Sequence, residues 1–352
     1  MHVPDGFINA PTSAVAGVVA AGAVAVSLRG ARRELDERTA PLAGLVAAFI
    51  FAVQMLNFPV AAGTSGHLLG GALAAILVGP YTGALCISVV LLMQGLLFAD
   101  GGLTALGVNI TDMSIVGVAV AYVVFRALVK VLPRTRRSIT AASFVAALIS
   151  VPAAALAFTA FYAIGGTTDV AIGKVATAMV GVHILIGIGE AAITALTVGA
   201  VIAVRPDLVY GARDLRRPLK LRVGGELVDA PAAETPAPAA RTSRRTLWIS
   251  GLVTSLVLAG FVSFYASASP DGLEKVAEDK GFAASAEDHH TADSPLADYG
   301  VKDIDNARLS GGLAGVIGVG VTIVAGSAVF WAVRRRRTGE APEASSPTNT
   351  SV

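Results

Sequence analysis

The sequence predicts an all-α, polytopic membrane protein of about nine transmembrane helices with an extracytoplasmic N-terminus. Three observations predict it. The mean hydropathy is +0.68. Only 15% of residues are charged, against about 25% for soluble domains. The basic residues also fall in alternate connections between long apolar runs, as the positive-inside rule requires. The net charge of +2 leaves no footprint for nucleic acid. The single cysteine, Cys86, sits in an apolar stretch and reads as a small core residue with no disulfide or thiolate cluster.

A bilayer crossing needs about 20 largely apolar residues. In chain order such runs lie at 13–28, 41–56, 110–132, 139–162, 178–204, 246–265 and 310–333. The run 67–98 is too long for one crossing, and Gly79-Pro80 near its middle is a natural break. Splitting it into 67–79 and 82–98 gives nine segments. Arg29, Arg32, Arg33 and Arg38 follow the first. Lys130, Arg134, Arg136 and Arg137 follow the fifth. Arg205, Arg213, Arg216, Arg217, Lys220 and Arg222 follow the seventh, and Arg334 to Arg337 the ninth. The alternate loops 57–66, 99–109 and 165–177 hold only Lys174. Nine crossings with the N-terminus outside put every basic cluster in the cytoplasm; eight would strand one. Met1 to Ala10 lack the basic start of a signal peptide, so the N-terminus is expected to be retained.

The stretch 223–243 is rich in Ala and Pro and reads as a flexible linker. The expected organisation is a seven-helix unit, 1–204, a cytoplasmic linker, 205–245, and a two-helix unit, 246–337, whose outside loop spans 266–309. A disordered cytoplasmic tail, 338–352, closes the chain.

Few polar residues carry chemistry. His2 stands beside the amino terminus, and His67 follows Gly63-Thr64-Ser65-Gly66 on the outside. The terminal amine, the His2 amide nitrogen and the His2 imidazole can close adjacent chelate rings on one metal, with His67 as a fourth nitrogen. Four planar nitrogens suit Ni(II) or Cu(II), and imidazole-rich sites also accept Co(II). The residues alone leave this chelate and an incidental surface histidine both open. Asp5 reads as a pin for the N-terminal segment rather than a ligand. Asn57, Asn109 and Ser65 are candidates to surround the site. His183 and Glu190 are seven apart on one helix face. They suit a relay or an internal polar contact between helices, and the contact is favoured because the site already has enough nitrogens.

Met1-His2-Val3-Pro4-Asp5-Gly6-Phe7 resembles the opening of the CbiM/NikM family, substrate-specific subunits of energy-coupling factor transporters for cobalt and nickel. The resemblance continues in order through Asn57-Phe58-Pro59, Gly63 to Leu68, Gly79-Pro80, Gly101-Gly102-Leu103, Leu106 to Asn109 and His183 to Glu190. It implies that the terminal amine of Met1, His2 and His67 are the metal ligands. Asp112 stands where the pattern leads one to expect asparagine. Ser269-Pro270-Asp271-Gly272-Leu273-Glu274 resembles the start of the PDGLE module, related to the CbiN/NikN partner subunits and here fused. The resemblance implies transport of Co²⁺ or Ni²⁺ across the cell membrane without a bound cofactor. It also implies a transmembrane coupling subunit and partner ATPases, consistent with the lack of a phosphate-binding loop motif. The 266–309 loop, with ten Asp/Glu and four Lys/Arg, would attract cations; His289 and His290 read as solvated. A stand-alone secondary transporter is the alternative. A membrane metalloprotease would need His-Glu-x-x-His, which is absent, so no enzyme is expected. A metal sensor would need an output domain larger than 205–245.

Overall fold

The computed structural model describes residues 1–35, 39–61, 63–215, 220–223, 226–229 and 243–338. Arg38, Arg216 and Arg217 fall outside them, as do the linker residues 230–242 and the tail beyond Thr338.

Helix α1 (Ala10–Glu34) starts where the Asn9 side chain accepts from Thr12 N at 3.0 Å, a conventional N-cap. Helix α2 (Ala40–Gln54) leads into a hairpin of β1 (Phe58–Ala61) and β2 (Thr64–Gly66), which pairs Phe58 with Gly66 and Pro59 with Ser65. Helices α3 (Gly71–Val78) and α4 (Pro80–Leu97) meet at Gly79-Pro80, so the chain reverses at the expected break. A continuous helical stretch follows: α5 (Leu106–Asn109), a π-helical turn (Ile110–Val116) and α6 (Gly117–Val131). Helices α7 (Arg136–Gly165) and α8 (Ile172–Val204) complete the first unit. The expected linker opens with ordered chain, since β3 (Lys220–Val223) and β4 (Glu226–Asp229) pair antiparallel. Helices α9 (Arg244–Gly260), α10 (Gly272–Lys280) and α11 (Ala307–Thr338) follow.

Among the described residues, seven helical spans are long and apolar enough to cross a membrane. This is a multi-pass membrane protein. Two of the nine expected segments are shorter. Helix α2 has 15 residues. Helix α3 has eight, about 12 Å against a hydrocarbon core of about 30 Å. The run from 67 is helical only from Gly71, because the backbone N–H groups of Leu69 and Gly70 are taken by the Glu190 carboxylate, at 2.6 and 3.1 Å. Gly70 turns the chain into α3 at φ +85°, a conformation glycine adopts without steric cost.

All eight residues of α3 are buried, surrounded by α2, α4, α6, α7 and α8. Small residues allow close approach: Gly83 lies on the Ala74–Ala75 backbone, Gly107 on Ala16–Gly17 and Gly315 on Ala259. Such packing holds helices together where lipid offers no apolar driving force. Helices α9 and α11 of the second unit pack on α2. Outward faces carry Val18, Val123, Leu156, Ile164, Leu196 and Val324, all exposed, as lipid-facing positions require. At the far end from the N-terminus, Glu34 of α1 accepts from Thr82 N at 2.7 Å and Tyr81 N at 3.3 Å, capping α4.

Candidate metal centre

The first seven residues are threaded into the protein instead of projecting from it. Met1 and Val3 are buried, with Val3 at 0% exposure. A buried backbone must find hydrogen-bond partners, and here Asn109, at the end of α5, supplies them. Val3 N donates to Asn109 Oδ1 at 2.7 Å, and Asn109 Nδ2 donates back to Val3 O at 3.1 Å. Gly102 N also donates to Val3 O, at 2.8 Å. A side chain at Gly102 would run into Asp5. Asp5 Oδ1 accepts from Thr104 N at 2.8 Å and Thr104 Oγ1 at 2.5 Å, so Asp5 pins the segment. Glu287 N of the second unit donates to Asp5 O at 2.9 Å.

The hairpin and the held start of α3 deliver His67. Its Nδ1 lies 3.0 Å from Leu68 O. That acceptor fixes the proton on Nδ1 and leaves the Nε2 lone pair free. Nε2 is 2.6 Å from the Met1 amine. The same amine donates to Asp271 Oδ2 at 2.7 Å. The other Asp271 oxygen accepts from Leu273 N at 2.7 Å and Glu274 N at 2.9 Å, and Glu274 Oε2 accepts from Asp271 N at 2.8 Å. This reciprocal capping box starts α10. The turn before it docks on β2, with Ser65 N donating to Pro270 O at 2.9 Å and Ser65 Oγ to Ser269 O at 2.7 Å. Burial alone would raise the Asp271 carboxyl. The terminal ammonium beside it outweighs burial and holds the carboxyl well below the usual range.

The His2 ring stacks on that of His67, centroids 5.0 Å apart. Its Nδ1 is 3.1 Å from Asp100 Oδ1 and its Nε2 is 3.2 Å from Gln94 Oε1. Burial pushes the imidazole down to about 4, against the raising influence of Asp100, so it is neutral at pH 7. Tyr299 OH donates to Asp100 Oδ2 at 2.5 Å and therefore accepts from Gln94 Nε2, at 3.0 Å. This chain fixes the Gln94 amide with its oxygen toward His2. Neutral His2 then has one N–H for two acceptors. A cation on Nδ1 would resolve the conflict and leave Nε2–H for Gln94, the arrangement that orients metal-bound imidazoles.

His2, His67, Asp100, Asp271 and Tyr299 line one cavity of about 400 Å³, together with Asn57, Glu274, Glu287, His289 and Asp298. Its carboxylates make it a cation-attracting chamber. Among the described residues, no three His, Cys, Asp or Glu side chains form a metal cluster of their own; the terminal amine stands beside His67 as a further nitrogen. Met1, His2 and His67, expected from sequence, come together. Asn109 and Asp5 hold the segment that carries His2. Asn57 lines the cavity and its carbonyl accepts from Ser267 N at 2.7 Å. Ser65 holds the second unit. Glu190 of α8 grips the backbone beyond His67, in the non-helical stretch that leads into α3. His183 donates from Nδ1 to Met179 O at 2.8 Å, within its own helix, and its Nε2 has no partner. Asp112 is buried in the π-helical turn, with one oxygen accepting from Met113 N and the other unpaired. His289 Nε2 lies 3.1 Å from Gly101 O at the cavity edge. Gln94, Asp100, Asp271 and Tyr299 are the site residues that sequence reading missed. Only Asp271 left a local signal, the Asp-x-x-Glu of its capping box.

Residues 2–208 match the family model described as the cobalt uptake substrate-specific transmembrane region. Residues 245–335 match the PDGLE domain. A putative fused nickel transport protein NikMN of Archaeoglobus fulgidus is 44% identical over 211 residues, 59% of this chain and 68% of that one. A cobalt transport protein CbiM of Sorangium cellulosum is 33% identical over 59% of this chain and 94% of its own length. A crystal structure of a transition metal transporter superposes with a TM-score of 0.53 at 28% identity, over 58% of this chain and 93% of that one. The chain therefore belongs to the CbiM/NikM family of cobalt and nickel transport proteins, with a PDGLE module fused behind the metal-transport region.

Proposed function

We propose that this protein is the substrate-binding membrane subunit of an ATP-driven energy-coupling factor importer for Co²⁺ or Ni²⁺. The observation that carries the reading is the buried terminal amine, 2.6 Å from His67 Nε2 and beside the stacked ring of His2. In this reading the amine, the His2 amide nitrogen and His2 Nδ1 close two chelate rings on the ion, and His67 Nε2 supplies the fourth nitrogen. The amine and amide release protons as the ion binds, so affinity falls with pH. In this reading the acidic chamber gathers the cation from the outer face, the side to which the pattern of basic loops assigns the N-terminus. Partner ATPases, joined through a transmembrane coupling subunit, reorient the loaded protein to deliver the ion inside. The cobalt and nickel transport names of the relatives support the substrate class.

The test is metal binding to the purified protein beside two variants, one carrying an extra N-terminal residue and one with His67→Ala. The extra residue keeps His2 and every helix but moves the amine out of the chelate. Both variants are expected to lose tight Co²⁺ and Ni²⁺ binding while remaining folded. Normal binding by the extended protein would overturn the terminal chelate.

A further inference from the structure

Asp271 belongs to the second unit, 270 residues from the amine it touches. Three donor atoms meet there: the Met1 amine, His67 Nε2 and Asp271 Oδ2. Their separations are 2.6, 2.7 and 3.7 Å. Atoms so spaced lie on a circle of radius about 1.9 Å, and divalent first-row metals bind nitrogen and oxygen at about 2.0–2.2 Å. One ion just off the plane of the three therefore reaches all of them at bonding distance, with the ammonium protons standing where the ion would sit.

Resting on the function proposed above, we infer that Asp271 Oδ2 is an inner-sphere ligand of the transported ion, so that the fused module donates to the same metal as the N-terminus. The carboxylate is aimed before metal arrives. Its second oxygen is held by the Leu273 and Glu274 backbone N–H groups, and swinging Oδ2 away would uncap α10. The preceding turn is clamped to β2 through Ser65, two residues before His67. Charge favours the same assignment. A buried divalent ion needs compensating charge. The deprotonated His2 amide supplies one negative charge and Asp271 a second, so the loaded centre is neutral. Among the described residues Asp271 is the carboxylate on the amine, at 2.7 Å, while Asp100 faces His2 Nδ1 at 3.1 Å. The second unit then adds one oxygen donor to the four nitrogens of the first.

The test uses the full chain in detergent, titrated with Co²⁺ and followed by affinity and by the visible d–d absorption of the bound ion. Asp271→Asn keeps an oxygen to cap α10 but loses the charged donor. Asp271→Ser keeps the cap with a side chain too short to reach the ion. Loss of an outer partner of a metal site costs about 10–100-fold; loss of an inner ligand is expected to weaken Co²⁺ binding by about 100-fold or more and to shift the d–d bands in both variants. A purely structural role would leave the bands of the bound ion in place. Unchanged bands with unchanged affinity would overturn the inference. So would tighter binding, which would make Asp271 a counter-ion competing with the metal. Absence of Co²⁺ binding by the unsubstituted protein, by contrast, would sink the proposed function and not this ligand alone.

Discussion

Asn109→Ala tests how much of the metal centre is owed to the threading of the N-terminus. The substitution removes both hydrogen bonds that Asn109 makes to Val3. The Val3 carbonyl keeps a partner in Gly102 N. The Val3 N–H, fully buried, is left without one. An orphaned buried donor costs about 1–3 kcal/mol and a lost but compensated bond about 1, so the threaded state loses about 2–4 kcal/mol. If metal binds only the threaded state, affinity falls by about 30- to 700-fold at 1.4 kcal/mol per decade. Asn109→Asp retains the acceptor for Val3 N and loses only the return bond, so it should fall between the two. Equilibrium titration with Ni²⁺ or Co²⁺ reads the affinity, and acylation of the terminal amine by a water-soluble reagent reads its exposure. A change in affinity below about threefold in a folded Asn109→Ala protein, with the amine still protected, would refute the reasoning.

Two further outcomes follow from the same geometry. Glu190→Ala strips the partners from the Leu69 and Gly70 N–H groups and should lower stability by about 3 kcal/mol, with Glu190→Gln losing less. Thermal unfolding in detergent measures both, and equal midpoints for the two variants would contradict it. The second concerns pH. Burial holds His2 near 4, below its ordinary 6.5, so the unfolded chain takes up a proton in that window that the folded protein refuses. Stability of the metal-free protein therefore declines as pH falls from 6.5 toward 4, by up to about 3 kcal/mol. His2→Gln should flatten that part of the unfolding profile, and an unaltered slope would exclude His2 as its source.

The membrane fold was legible because lipid imposes a simple code: apolar runs of crossing length, with positive charge kept to one side. Gly79-Pro80 marked the reversal between α3 and α4 for a local reason that any reader of backbone chemistry could apply. The start of α3 was not legible. Leu68 and Leu69 are as apolar as the helix after them, and what keeps the chain out of the helix there is a carboxylate more than 100 residues later. The candidate ligands Met1, His2 and His67 could be picked out because their motifs are local. Asp100, Gln94 and Tyr299 could not, since their part depends on a hydrogen-bond chain that only the folded molecule assembles. Asp271 announced one of its two roles. The capping box belongs to a four-residue pattern, whereas the contact of its other oxygen with the amine belongs to the tertiary structure.

The meeting of Met1 with Asp271 also sets the order in which the protein can be made. The amine leaves the ribosome first, and its carboxylate partner follows 270 residues later. At synthesis rates of about 5–20 residues per second, the amine waits roughly 15 to 50 seconds before that partner exists. A formyl group on Met1 would block the pairing until it is removed. Completion of the centre thus coincides with insertion of the last third of the chain. A truncated or half-inserted molecule would leave its N-terminus open to proteases, whereas the finished one buries it.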